Sequence, residues 1–171
     1  MACLSIREAE GVGTLKINAQ GLAMLKHFES CLKRTKRDTF EAYPDPGYGW
    51  DVATIGWGTV QYENGKQVRP GDEITQTRAD ELLAFEVAEK ARGVANLVKV
   101  PLTENQASAL IVFAYNVGLG ALRTSTLLRR LNAKDYTGAA GEFSKWTRSN
   151  GQRLTGLVRR RTAERELFGK P

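Results

Sequence analysis

The segment from Thr103 to Gly118 constrains this chain most. Thr103-x-x-Gln106 is a capping box, in which the two side chains satisfy the first free N–H groups of a helix. Residues 107–117 that follow (ASALIVFAYNV) are apolar nearly all round. A helix with no polar face reads as a buried core helix, and Gly118 ends it at the C′ position. The rest of the second half is helical as well. Leu83, Val87, Ala91 and Val94 form one face of a long helix that Thr77-x-x-Asp80 would cap and Pro101 would break. Shorter helices are expected near Ser125 to Leu131, Tyr136 to Trp146 and Leu157 to Phe168.

The front of the chain reads differently. Asn18 to Glu29 has helical spacing at Leu22, Leu25 and Phe28, with Asn18 as N-cap. From Asp38 to Val68 the pattern changes to short strands. Thr39 to Tyr43 and Thr54 to Trp57 are β-branched and aromatic, and Asn64-Gly65 signals a two-residue hairpin turn. A small antiparallel sheet of about three strands is expected. No internal repeat or low-complexity linker interrupts the 171 residues, so one domain of two lobes is expected: an N-terminal extension over 1–17, a β lobe over 38–69 and a helical lobe over 72–171.

Composition removes several function classes. His27 is the single histidine, which argues against a zinc site or a Ser-His-Asp triad. Cys3 and Cys31 fit no metal spacing and read as reduced thiols, with a late disulfide as the alternative. No apolar stretch approaches the roughly 18 residues of a membrane span, and Met1 to Lys16 lacks the apolar core of a signal peptide. Charge is uneven. From Arg123 onward lie 12 of the 25 Lys+Arg but 4 of the 19 Asp+Glu, +8 for that part against −2 for the remainder. Such a basic third attracts a polyanion or forms a solvated helix face.

Three groups could carry chemistry. Glu29 ends the first helix beside Phe28, a setting that disfavours an ionised carboxylate and suits a general acid. Asp45, between Pro44 and Pro46, is presented on a stiff, extended turn. Thr54 opens an apolar strand, and its hydroxyl could hold a water opposite the acid. Gly56 and Gly58 flank Trp57, which fits a backbone that approaches a substrate closely. Trp50 and Trp57 could stack on sugar rings, although core packing is the commoner fate of a tryptophan.

In order, Glu29, Tyr43-Pro44-Asp45 and Thr54-Ile55-Gly56-Trp57-Gly58 resemble the phage-type lysozymes, glycoside hydrolase family 24. Further on, Leu102 to Ala107, Phe113 to Gly118, Thr124 to Leu128 and Gly156 to Arg165 resemble the family's central helix, following turn and closing helix, so the likeness runs from Gly21 to Phe168. It implies an α+β, lysozyme-like fold with a small antiparallel sheet lobe, a mostly helical lobe and a cleft between them. It also implies an endolysin-like muramidase that cleaves the β-1,4 bond between N-acetylmuramic acid and N-acetylglucosamine in peptidoglycan. Glu29 is then the acid, Asp45 the second carboxylate and Thr54 the water-positioning group of an inverting mechanism. Trp57, Asn116 and Trp146 fall at substrate-binding or interlobe positions. No cofactor, metal, nucleic acid or stable membrane anchor is implied. The expected form is a monomer that accumulates in the host cytoplasm and reaches the wall through a separate pore-former. A lytic transglycosylase and a non-catalytic peptidoglycan-binding module are the alternatives.

Two departures stand out. Glu29 and Asp45 are 16 positions apart, where the family usually has about nine, and residues 31–41 carry the excess as a longer first hairpin. This brings Glu41 and Asp51 near as well, and keeps Asp51 open as the main alternative second carboxylate. Thr59 stands where many relatives have a histidine, a position that reads as structural.

Overall fold

The computed structural model describes residues 15–29, 39–45, 48–149 and 151–171. Cys3, Cys31, most of the expected extension and most of the 31–41 insertion lie outside them. Helix α1 (Ala19–Glu29) begins as expected at Asn18, whose Oδ1 accepts the Gly21 N–H at 2.8 Å. Leu15 and Ile17, just before it, pack on the main core.

Strands β1 (Thr39–Glu41), β2 (Tyr43–Asp45), β3 (Gly49–Thr54) and β4 (Glu73–Thr75) form two antiparallel pairs, β1 with β4 and β2 with β3, rather than one three-stranded sheet. The strand expected over Thr54 to Trp57 is absent, and Thr54 closes β3 instead of opening a strand. After it the chain turns, with the Thr59 N–H bonded to the Ile55 carbonyl at 3.0 Å. Gly56 and Gly58, at φ 59° and 102°, make that turn. β4 holds a single apolar residue, Ile74, too few to show alternation in sequence. Asn64-Gly65 does reverse the chain, but through a three-residue loop. The Tyr62 N–H bonds the Lys66 carbonyl at 2.8 Å, and Gly65 at φ 81° donates to the Tyr62 carbonyl at 2.9 Å. Ala42, Ala53, Ile55 and Val68 form a small core here, with Tyr62 and Ile74 against it.

The helical part comprises α2 (Gln76–Leu97), α3 (Glu104–Val117), α4 (Leu119–Thr124), α5 (Thr126–Asn132), α6 (Tyr136–Glu142) and α7 (Thr155–Phe168). A single 3-10 turn at Phe143–Lys145 follows α6, and a short hairpin of β5 (Arg148–Ser149) and β6 (Gln152–Arg153) precedes α7. The cap of α2 is Thr75, not Thr77. As the last residue of β4, Thr75 is extended, and its hydroxyl accepts the Arg78 N–H, whereas Thr77 is already helical. The Thr103–Gln106 capping box forms as read, and Ala107 through Ala114 are all buried. Each large apolar side chain buried there contributes about 1.5–3 kcal/mol.

α1 crosses α3 closely. A Cβ on Gly21 would lie 2.7 Å from the Ser108 Cβ and 2.9 Å from the Ile17 Cγ1. Overpacking of this kind costs about 1–3 kcal/mol, more than the roughly 1 kcal/mol of helix propensity alanine would gain. Gly21→Ala is therefore expected to lower the urea midpoint with the m-value unchanged. An unchanged or raised midpoint would show that the crossing is slack.

Candidate active site

The C-terminal end of α1 delivers Glu29 to the junction of the two parts. Its side chain is 18% exposed, and Oε1 lies 2.7 Å from Nη2 of Arg160 on α7, itself 6% exposed. Oε1 is fully buried and makes no hydrogen bond, so this contact is ionic and off the N–H direction. The other oxygen, Oε2, faces the turn after β3, where a Cβ on Gly58 would sit 3.5 Å from it. Glycine at 58 thus lets the backbone lie directly beside the carboxyl.

Arg160 begins a buried chain of charge. Its Nε donates to Glu164 Oε1 at 3.2 Å, and its guanidinium sits 5.5 Å from the Phe28 ring. Glu164 Oε2 accepts from Arg161, which also donates to the Asn116 Oδ1 and, at 3.0 Å, to the Trp146 carbonyl. Burial pushes the Glu164 carboxyl up and the Arg161 guanidinium down, while their mutual attraction opposes both shifts.

A second carboxyl lies nearby. Glu86 on α2 is raised by burial and held by hydrogen bonds from Tyr115 and Thr59. The Tyr115 hydroxyl also reaches the Trp57 carbonyl at 3.4 Å. Burial and the Glu86 charge push that hydroxyl well above the ordinary tyrosine range. Glu86 and Tyr115, with Gly58, Val60, Tyr62 and Phe85, line a cleft of about 530 Å³ between the sheet segment and α2–α3. Phe85 and Val60 are two of its exposed apolar walls.

The remaining sequence candidates distribute as follows. Asp45 and Thr54 share the β2–β3 hairpin, where Thr54 pairs with Tyr43 and Asp45 with Gly49 across a bulge. Asp45 is half-buried, and its Oδ1 accepts the Tyr48 N–H at 3.0 Å. The Thr54 hydroxyl is buried with no hydrogen-bond partner among the described residues. Asp51 is exposed, in the stretch of β3 that the bulge leaves unpaired. Trp57 is half-buried: its Nε1 donates to Asp80 Oδ1 at 2.8 Å, and Lys26 Nζ stands 5.0 Å from its ring. Trp146 packs edge-on against Phe113 at 5.3 Å. Asn116 is exposed, and its Oδ1 accepts from Arg161. Thr59 is 2% exposed and ties its turn to α2 through Glu86.

Sequence reasoning did not single out Glu86, Tyr115, Arg160, Arg161 or Glu164 as site residues. The spacing of Arg160 and Arg161 to Glu164, four and three positions on one helix, is the signal that could have found the last three. For Glu86 the sequence offers only a carboxyl beside the apolar face of α2.

A helical lobe and a small sheet lobe that meet across a cleft at a partly buried carboxyl define a lysozyme-like fold. A family model described as phage lysozyme matches residues 26–164. The chain is 44% identical over 154 residues to an endolysin of Bacillus phage B103, a match covering 90% of this chain and 54% of that protein. It is 37% identical over 158 residues to an endolysin of Acyrthosiphon pisum secondary endosymbiont phage 1, with 90% and 98% covered. Among solved structures, the muramidase domain of SpmX from Asticcacaulis excentricus superposes with a TM-score of 0.75 at 36% identity, covering 91% of this chain and 99% of that one. The chain belongs to the phage lysozyme family. It spans about half the length of the Bacillus phage relative and nearly all of the endosymbiont phage one. Among the described residues no helix is long and apolar enough to cross a membrane.

Proposed function

We propose that this protein is an endolysin-type muramidase that hydrolyses the β-1,4 bond between N-acetylmuramic acid and N-acetylglucosamine in peptidoglycan. The observation that carries the reading is the partly buried Glu29 carboxyl beside the Gly58 backbone, together with a Thr54 hydroxyl, on the hairpin that bears Asp45, that is buried with no hydrogen-bond partner among the described residues. Glu29 donates a proton from Oε2 to the glycosidic oxygen as the C1–O4 bond breaks. Arg160, held at Oε1, stabilises the carboxylate that remains. Water held by Asp45 and Thr54 attacks C1 from the opposite face and loses its proton to Asp45, which gives the inverted hemiacetal. Trp57, Asn116 and Trp146 border the glycan. The protein acts as a monomer without a cofactor, accumulates in the host cytoplasm and is released to the wall by a separate pore-former.

Mass spectrometry of purified sacculi after digestion tests this. Reducing-end muropeptides carrying one added water are expected. Anhydro-muramic ends would instead establish a lytic transglycosylase, in which the muramic 6-hydroxyl replaces water. Binding without any product would leave a non-catalytic wall-binding module.

A further inference from the structure

The excess charge of the C-terminal third divides into two populations. Arg130, Lys145, Arg160 and Arg161 are ion-paired within the protein. Arg148 and Arg153 have no ion pair among the described residues, and they face each other: β5 and β6 pair in a register that sets Arg148 directly opposite Arg153, both exposed. Like charges directly opposite on paired strands are destabilising. Here the pair is only two residues long, and Arg148 Nη1 donates to the Gly151 carbonyl at 3.0 Å. The opposed guanidiniums concentrate positive charge that an anionic ligand would offset.

The adjoining surface supports that. Arg153 and Arg165 line a hollow of about 430 Å³ with Ser144, Thr147, Thr162 and the buried Arg161, and Glu166 is the one carboxylate among its lining residues. Arg161 is neutralised by Glu164, and Arg153 and Arg165 are not ion-paired among the described residues. The hydroxyls of Ser144 and Thr162 already donate to the Gly141 and Val158 carbonyls at 2.9 and 3.0 Å. Thr147, buried at the same hollow, has no side-chain hydrogen bond among the described residues. Two guanidiniums and a hydroxyl that converge on a pocket suit a phosphate group, which guanidinium recognises in a bidentate fashion. Apart from Arg161, which is linked to Glu29 through Glu164 and Arg160, none of these residues belongs to the Glu29 site.

We propose that the hollow between the β5–β6 hairpin and α7 binds phosphate groups of an anionic polymer attached to the cell wall, through Arg153 and Arg165, with Arg148 opposite Arg153 on the hairpin adding to the positive charge. The chemistry of the site is independent of the muramidase reading; the choice of a wall polymer over other phosphate sources rests on it. Such a contact would hold the protein on its insoluble substrate between cleavage events.

Binding of poly(glycerol phosphate) by the whole chain, followed by calorimetry at several salt concentrations, tests the site. Arg153→Gln/Arg165→Gln is expected to weaken binding by about tenfold or more and to reduce the salt slope by between one and two, as loss of two phosphate contacts requires. Arg129→Gln/Lys134→Gln, which removes two exposed cations elsewhere, is expected to change it less than threefold. Equal losses in both double variants would overturn the site in favour of a diffuse field, and no loss in the first would overturn it outright. Tighter binding to duplex DNA, or to phosphatidylglycerol vesicles, would overturn the wall polymer as the source. Cleavage of soluble glycan chains by Arg153→Gln/Arg165→Gln should match wild type. If wild type itself cleaves nothing, the muramidase reading fails while the binding result stands.

Discussion

Glu29→Gln is expected to lower the rate of sacculus hydrolysis by about 10²–10⁴-fold, the range that a positioned general acid supplies. The substitution keeps the shape of the side chain and removes the proton it would give. Binding should survive, since none of the exposed cleft walls, Val60 and Phe85 among them, is touched. Folding should survive too. Arg160 keeps Glu164 at 3.2 Å and a contact to the Val112 carbonyl at 3.5 Å. The informative measurement is therefore kcat beside KM on the same sample, with thermal midpoint as a control. A fall confined to kcat supports proton donation. Unaltered kcat would remove Glu29 from the mechanism, and the resemblance in sequence would then describe the fold alone. Parallel variants at Asp45 and Asp51 separate the two candidates for the second carboxylate. Asp45→Asn should cost a comparable factor, and Asp51→Asn, exposed and outside the paired part of the hairpin, little.

What the sequence made legible follows the strength of local signals. The capped, wholly apolar α3 was readable because its capping box and glycine stop are short-range chemistry and its burial is written in composition. The cap at Asn18 and the buried face of α2 were readable for the same reason. The sheet was less so. β1, β2 and β4 have three residues each, and β1 pairs with a partner more than thirty positions away, which no local pattern announces. The Asn64-Gly65 turn was placed correctly and its type was not, because the loop length depends on where Tyr62 and Lys66 pair. In the candidate site, Glu29 and Asp45 were singled out by their order within a family pattern. Their surroundings were not, since Arg160, Glu86 and Tyr115 come from three other helices and only the fold brings them there. The three consecutive arginines show the limit well. As part of the basic C-terminal third, Arg159 to Arg161 count alike as charge. In the structure Arg159 is exposed, while Arg160 and Arg161 are buried and paired.

That buried pairing leads to the largest expected effect on stability. Glu164 is 0% exposed and Arg161 2% exposed, and burial disfavours the charged form of each. Each is tolerated because the other is present. Glu164→Leu leaves Arg161 with no carboxylate and Arg160 with Glu29 alone, and stranding a buried charge in this way costs about 3–5 kcal/mol. For a chain of this size that is a drop of roughly 6–20 °C in thermal midpoint. Arg161→Met alone should cost a similar amount, by stranding half of the Glu164 carboxylate. The double variant Arg161→Met/Glu164→Leu removes both charges and both desolvation costs, and fills the space with apolar volume. Its stability should return to within about 1–2 kcal/mol of wild type, with a coupling energy of at least 2 kcal/mol. The sign of the pH dependence adds a check. The folded Glu164 carboxyl titrates above its unfolded value, so the native state binds its proton more readily than the unfolded chain does. Its contribution therefore favours the fold below the unfolded value and is lost as pH rises through the folded one. Removing it should flatten the stability profile across that interval. Additive losses in the double variant would mean that the two side chains stabilise the protein separately, through Asn116 and the Trp146 carbonyl, and not through each other.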